Sequence, residues 1–100
     1  MAKKKKPVED GPIMVNILGH DFEIVTSGGM MSSGTIGMTS YQNGLIEINA
    51  NCSETQMIEA TLHEILEQIN YMLELELTHP QIMALSTALY DTIARNDLQF

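Results

Sequence analysis

Ser53-Glu54-Thr55-Gln56-Met57-Ile58-Glu59-Ala60-Thr61-Leu62-His63-Glu64-Ile65-Leu66-Glu67-Gln68-Ile69 is the stretch on which the fold turns. Ser53 followed by Gln56 has the spacing of a capping box, and Glu54 sits in the first turn, where the helix dipole favours an anion. Met57, Ile58, Leu62, Ile65, Leu66, Ile69 and Leu73 then recur with a period near 3.6 residues, which predicts one long helix with a single buried stripe. After a short connection at Leu73 to Leu77, Thr78 and Gln81 repeat the capping spacing, and Pro80 is tolerated in a first turn. Ile82, Met83, Leu85, Leu89, Tyr90 and Ile93 predict the buried stripe of a second helix ending near Asn96.

Upstream the pattern changes period. Ile13 to Leu18 and Phe22 to Thr26 are short β-prone runs on either side of Gly19-His20-Asp21, which predicts a hairpin. Thr35 to Tyr41 and Leu45 to Asn49 flank Asn43-Gly44, a strong hairpin signal, with Ile46 and Ile48 facing the core. Ser27 to Gly34 is loop by composition. The expectation is an α+β fold: a small antiparallel sheet of three to four strands packed by two antiparallel helices. Residues 1 to 12, with four lysines, two prolines and a glycine, read as a flexible basic arm before a single domain at 13–97.

Charge narrows the function classes. Four of the five basic residues are Lys3 to Lys6, so from Pro7 onward 13 acidic residues face Arg95 alone. Such a body repels phosphate, which argues against nucleic acid and makes cations the more natural companions; a protein or peptide is the macromolecular partner considered. No apolar run reaches the roughly 20 residues of a membrane-spanning helix, and the basic start lacks the apolar region of an export signal. With one cysteine, no internal disulfide forms, and the expected compartment is the cytoplasm. Oligomeric state is not legible. Any metal must be held by histidine and carboxylate.

The residues with that chemistry lie in the first helix. His63 and Glu67 are four apart, so both project from one face and can share a divalent ion. Glu64 has the position of a general base that activates a water at the metal. By spacing alone, the same three read more readily as the half-buried and solvated side chains of an amphipathic helix than as a site. His20 beside Asp21 reads as a turn residue, and Cys52, before the cap, as a small apolar side chain. Of the eight methionines, those at helical apolar positions read as core, while Met30-Met31 in the glycine-serine loop reads as a cover for a cleft or a partner contact.

Gly34 to Ile48, then Ala60-Thr61-Leu62-His63-Glu64-Ile65-Leu66-Glu67-Gln68-Ile69, then Leu75 to Tyr90, follow one another as in a known group. The chain resembles the small metallopeptidase-like proteins of phages and prophages, relatives of the ImmA/IrrE group of minimal gluzincins, over roughly residues 13 to 97. The resemblance implies a minimal zincin-like fold, a zinc ion and hydrolysis of a peptide or other amide bond in a host cytoplasm. Two positions depart from the group's pattern. Glu67 stands where the group has its second zinc-binding histidine, giving HExxE, and His79 stands where it has a third-ligand glutamate. Taken together the departures exchange His and Glu, so His63, Glu67 and His79 again supply two imidazoles and one carboxylate. The alternative is a non-catalytic phage accessory or interaction protein with an acidic surface, its metal structural or absent.

Overall fold

The computed structural model describes residues 13–27 and 36–98; the basic arm and the Met30-Met31 loop lie outside them. The elements follow in the order β1 (Ile13–Ile17), β2 (His20–Ser27), β3 (Gly37–Ser40), β4 (Leu45–Asn49), α1 (Glu54–Leu73) and α2 (His79–Asn96). The fold is α+β, as the change of period along the chain predicts.

Both hairpins form where the turn residues place them. β1 and β2 pair antiparallel, with Ile17 opposite His20, so Leu18 and Gly19 alone make the turn. Both have positive φ, 52° and 89°, the backbone that lets a two-residue turn follow the twist of its strands. Asn16 holds this turn, accepting from the Gly19 amide at 2.9 Å and donating to Asp21 Oδ1 at 2.9 Å. The second hairpin is wider than a two-residue Asn43-Gly44 turn. Ser40 pairs with Leu45, and Tyr41 to Gly44 form a four-residue loop with Gly44 at φ 59°.

The sheet corrects one expectation. Its order is β1-β2-β4-β3, and β2 runs parallel to β4, so the sheet is mixed rather than antiparallel throughout. The reason is burial. Ile46 and Ile48 of β4 are fully buried, and they gain most from an interior position beside β2 and Phe22. The short strand Gly37-Met38-Thr39-Ser40 has little to bury and takes the edge.

Both helices start on the boxes that the sequence predicts. Ser53 Oγ accepts from the Gln56 amide at 3.1 Å while Gln56 Oε1 accepts from the Ser53 amide at 2.9 Å. Thr78 and Gln81 repeat the exchange at 3.2 and 2.8 Å. α1 lies across the sheet, and Met57, Ile65, Ile69 and Met72 pack on the core of Ile17, Phe22, Ile46, Ile48 and Ala60. Its most deeply buried line is Ala60, Glu64 and Gln68, spaced i, i+4, i+8, and so largely polar. Gln68 Nε2 donates to Thr39 Oγ1 of the edge strand at 2.5 Å. Ile58 and Leu73, assigned to the buried stripe by periodicity, are exposed.

α2 packs on α1 and on no described strand. Only Ile82 and Ser86 are therefore buried; Met83, Leu85 and Leu89 of the predicted stripe stay exposed, because one neighbouring helix covers only a narrow line of a second. Contacts run in opposite order along the pair: Glu67 meets His79 near the connection, and Glu59 meets Thr87 two turns away.

Candidate metal centre

The connection between the helices decides whether residues 63, 67 and 79 can meet. α1 stops at Glu74, whose φ of 54° puts it in the left-handed region, and the Leu75 amide bonds back to the Asn70 carbonyl at 3.1 Å. The Asn70 side chain then grips the far end of the connection. Its Oδ1 accepts from the Leu77 amide at 2.9 Å and its Nδ2 donates to the Leu77 carbonyl at 3.4 Å. The next residue, Thr78, caps α2 and places His79 at the first helical position, facing the last turns of α1.

There His63, Glu67 and His79 converge, each offering a ligand atom within 4.8 Å of the others. His63 Nε2 lies 3.2 Å and His79 Nδ1 3.5 Å from the same oxygen, Glu67 Oε2. The two imidazole rings meet edge to face with centroids 4.9 Å apart. Ligands about 2.0–2.1 Å from a tetrahedral ion stand about 3.3 Å from one another, and the two separations to Glu67 Oε2 are close to that spacing. The donor set also suits such an ion, since two imidazoles and one carboxylate leave a position open for a water or substrate. His63 is half-buried, whereas the His79 side chain is 65% exposed, so the site opens to solvent on the α2 side.

Glu64, next to His63 on α1, lies against the sheet edge. It is 7% exposed, and its carboxylate lies over Gly37: a Cβ at that glycine would stand 3.0 Å from Glu64 Oε2 and 3.1 Å from Glu64 Cγ. Burial first, and the negative charge of Glu67 second, push the Glu64 carboxyl up from 4.5 to about 7. A carboxyl poised there can both accept and return a proton near neutrality. Glu64 and the two histidines share a cleft of about 530 Å³ between α1, α2 and the start of β3. Its other walls include Ile36, Ala60, Met83 and Ser86, with Gln56, Glu59 and Thr87 at the far end.

The four site residues proposed from the sequence therefore lie together. His20 does not join them; it stacks edge-on to Tyr41 at the other hairpin. Cys52 is half-buried beside the α1 cap. Four contributors were not singled out from the sequence. Gly37 gives Glu64 its room, Asn70 sets the connection, and Ser86 and Thr87 close the cleft from α2. Only Asn70 left a signal, as a polar residue one turn past Glu67 in the apolar end of a helix. The chain matches no family model, no curated protein and no solved structure.

Proposed function

We propose that the protein is a metal-binding, metallopeptidase-like domain, with His63, Glu67 and His79 holding one Zn²⁺ and Glu64 serving as general base toward a peptide or other amide bond. The observation that carries this reading is the convergence of three ligand atoms of the right type within 4.8 Å, from two helices whose caps fix them there. When bound, the cation supplies Lewis acidity toward a water and a carbonyl oxygen. The chain supplies the rest. Glu64 accepts the proton of the attacking water and hands it to the departing amine. The two half-buried ligands on α1 hold their geometry by helix register, while His79 depends on the Asn70 clamp. The order of elements, with a strand hairpin, a helix carrying His-Glu and a third ligand opening the next helix, supports kinship with the phage-type minimal gluzincins.

Elemental analysis of protein made without a histidine tag tests the site. About one equivalent of zinc is expected. Less than about 0.1 equivalent of zinc, with no rise in thermal stability on adding it, overturns the reading, and stoichiometric iron in its place overturns zinc. His63→Ala and His79→Ala should each abolish binding; full affinity in His79→Ala removes His79 as third ligand. Glu64→Gln should keep metal and lose hydrolysis.

A second reading has its own observation. α2 covers little of its apolar surface, leaving Met83, Leu85 and Leu89 exposed, which suits a non-catalytic interaction protein with an acidic body. A Glu64→Gln protein that retains every biological activity would favour it.

No described helix is long and apolar enough to cross a membrane.

A further inference from the structure

We propose that the cleft takes a basic side chain, lysine above all, from a peptide bound at the metal centre, and that Glu59 is the residue that holds its ammonium group; this rests on the reading of the His63, Glu67 and His79 site given above. The lining changes character along the helix pair. At one end stand His63, His79 and Glu64. The middle is apolar, with Ala60 from α1 and Met83 from α2. The far end carries Glu59, whose Oε2 accepts from Thr87 Oγ1 at 2.6 Å, a bond across the cleft that orients the carboxylate. Glu59 lies four residues before His63, about 6 Å along the helix axis. A lysine matches that sequence of surfaces. Its backbone carbonyl sits at the metal end, its four-carbon stem lies on Ala60 and Met83, and its ammonium meets Glu59.

The electrostatics point the same way. No lysine or arginine lines the cleft among the described residues, and Arg95, the one described basic residue besides histidine, is bonded to Asp91 at 2.8 and 2.9 Å. Glu64, more than nine-tenths buried, faces the same space with no hydrogen bond or ion pair among the described residues. The cleft thus presents two carboxyl groups, Glu59 and Glu64, without a lysine or arginine of its own among the described residues. An acidic side chain meets repulsion there, and a neutral one leaves Glu59 without an ionic partner.

The test uses the full-length chain and three N-acetylated hexa-alanine peptides whose third residue is lysine, norleucine or glutamate. Binding is measured by calorimetry with chelator and again with zinc. The lysine peptide should bind at least about tenfold more tightly than the norleucine peptide, and the glutamate peptide more weakly than either. Glu59→Gln should bring the lysine-to-norleucine ratio close to one, and Thr87→Val should lower it in part. Glu74→Gln, which removes an exposed acid outside the cleft, should leave it intact. A ratio within about twofold of one in the unmodified protein overturns the proposal. So does a preference that survives Glu59→Gln or falls equally in Glu74→Gln, as does binding of none of the peptides. Zinc content is measured on the same samples. Zinc without lysine preference defeats this inference alone; lysine preference in chelator, in a protein that takes up no zinc, sustains it and defeats the metal reading.

Discussion

Replacing Gly37 by alanine sets a methyl group against the carboxyl of Glu64. The new carbon would stand 3.0 Å from Oε2, 3.1 Å from Cγ and 3.3 Å from Ile48 Cδ1, all closer than relaxed contact. The strand on one side and the buried helix on the other leave little room to yield. Overpacking of this kind costs about 1–3 kcal/mol. Alanine also restricts the unfolded chain, which returns about 0.4–1 kcal/mol, since the Gly37 backbone does not require positive φ. The net expectation is a destabilisation of about 0.5–2 kcal/mol. Glu64→Ala removes two of the three close atoms, so in that background Gly37→Ala should be neutral or slightly stabilising. The coupling between the two sites is then about 1–2 kcal/mol, well above the 0.3–0.5 kcal/mol typical of independent positions. Urea denaturation of the four proteins in chelator, with m-values checked for agreement, measures it without any contribution from metal. Equal costs of Gly37→Ala in both backgrounds, or a stabilised single variant, would refute the claim that the bare edge strand is what seats Glu64.

Three further outcomes follow from the same site. In chelator, a Glu64 carboxyl raised from 4.5 to about 7 binds more protons folded than unfolded, so its contribution to stability is full below about pH 4.5 and is lost as pH rises through 7. Glu64→Gln lacks that loss, and its stability relative to the unmodified protein should grow by up to about 3 kcal/mol between pH 4.5 and 8; a constant difference in urea midpoints across that range would count against the buried carboxyl. Free zinc at about 100 times its dissociation constant should stabilise the protein by about 2.7 kcal/mol, an effect that His63→Ala and Glu67→Ala must both lose in metal-buffered melts. Asn70→Ala should cost about 1–2 kcal/mol and weaken zinc binding as well, because it frees the connection that sets His79; unchanged zinc affinity in a titration would show that the clamp does not position the ligand.

Much of the site is legible in residue types and spacing. His63 and Glu67 share a face through helix register alone, and the second capping box puts His79 at the start of a helix. Their meeting is less legible, since it depends on the angle and height at which α2 crosses α1. A bond pair from Asn70 to Leu77, across seven residues, sets that height. Periodicity also misleads where one residue has two neighbours to choose from. Glu64 has a reading as a solvated helix glutamate, yet with Gln68 it occupies the buried line of α1, because the edge strand opposite offers a glycine to one and the Thr39 hydroxyl to the other.

By itself, the sequence determined what is encoded within about four residues: two capped helices, two hairpins and the register that puts His63 and Glu67 on one helix face. Turns, caps and helical register are short-range interactions, so each can be read where it stands. The tertiary structure alone decided how these pieces compete for burial. It placed β4 parallel to β2, because two isoleucines gain more in the middle of a sheet than at its edge. It left α2 with a single neighbour, and it drew Glu64 out of water over Gly37, which gave an ordinary helix glutamate a carboxyl near 7. Burial is settled by all the apolar surfaces at once, and no short window of sequence contains that sum.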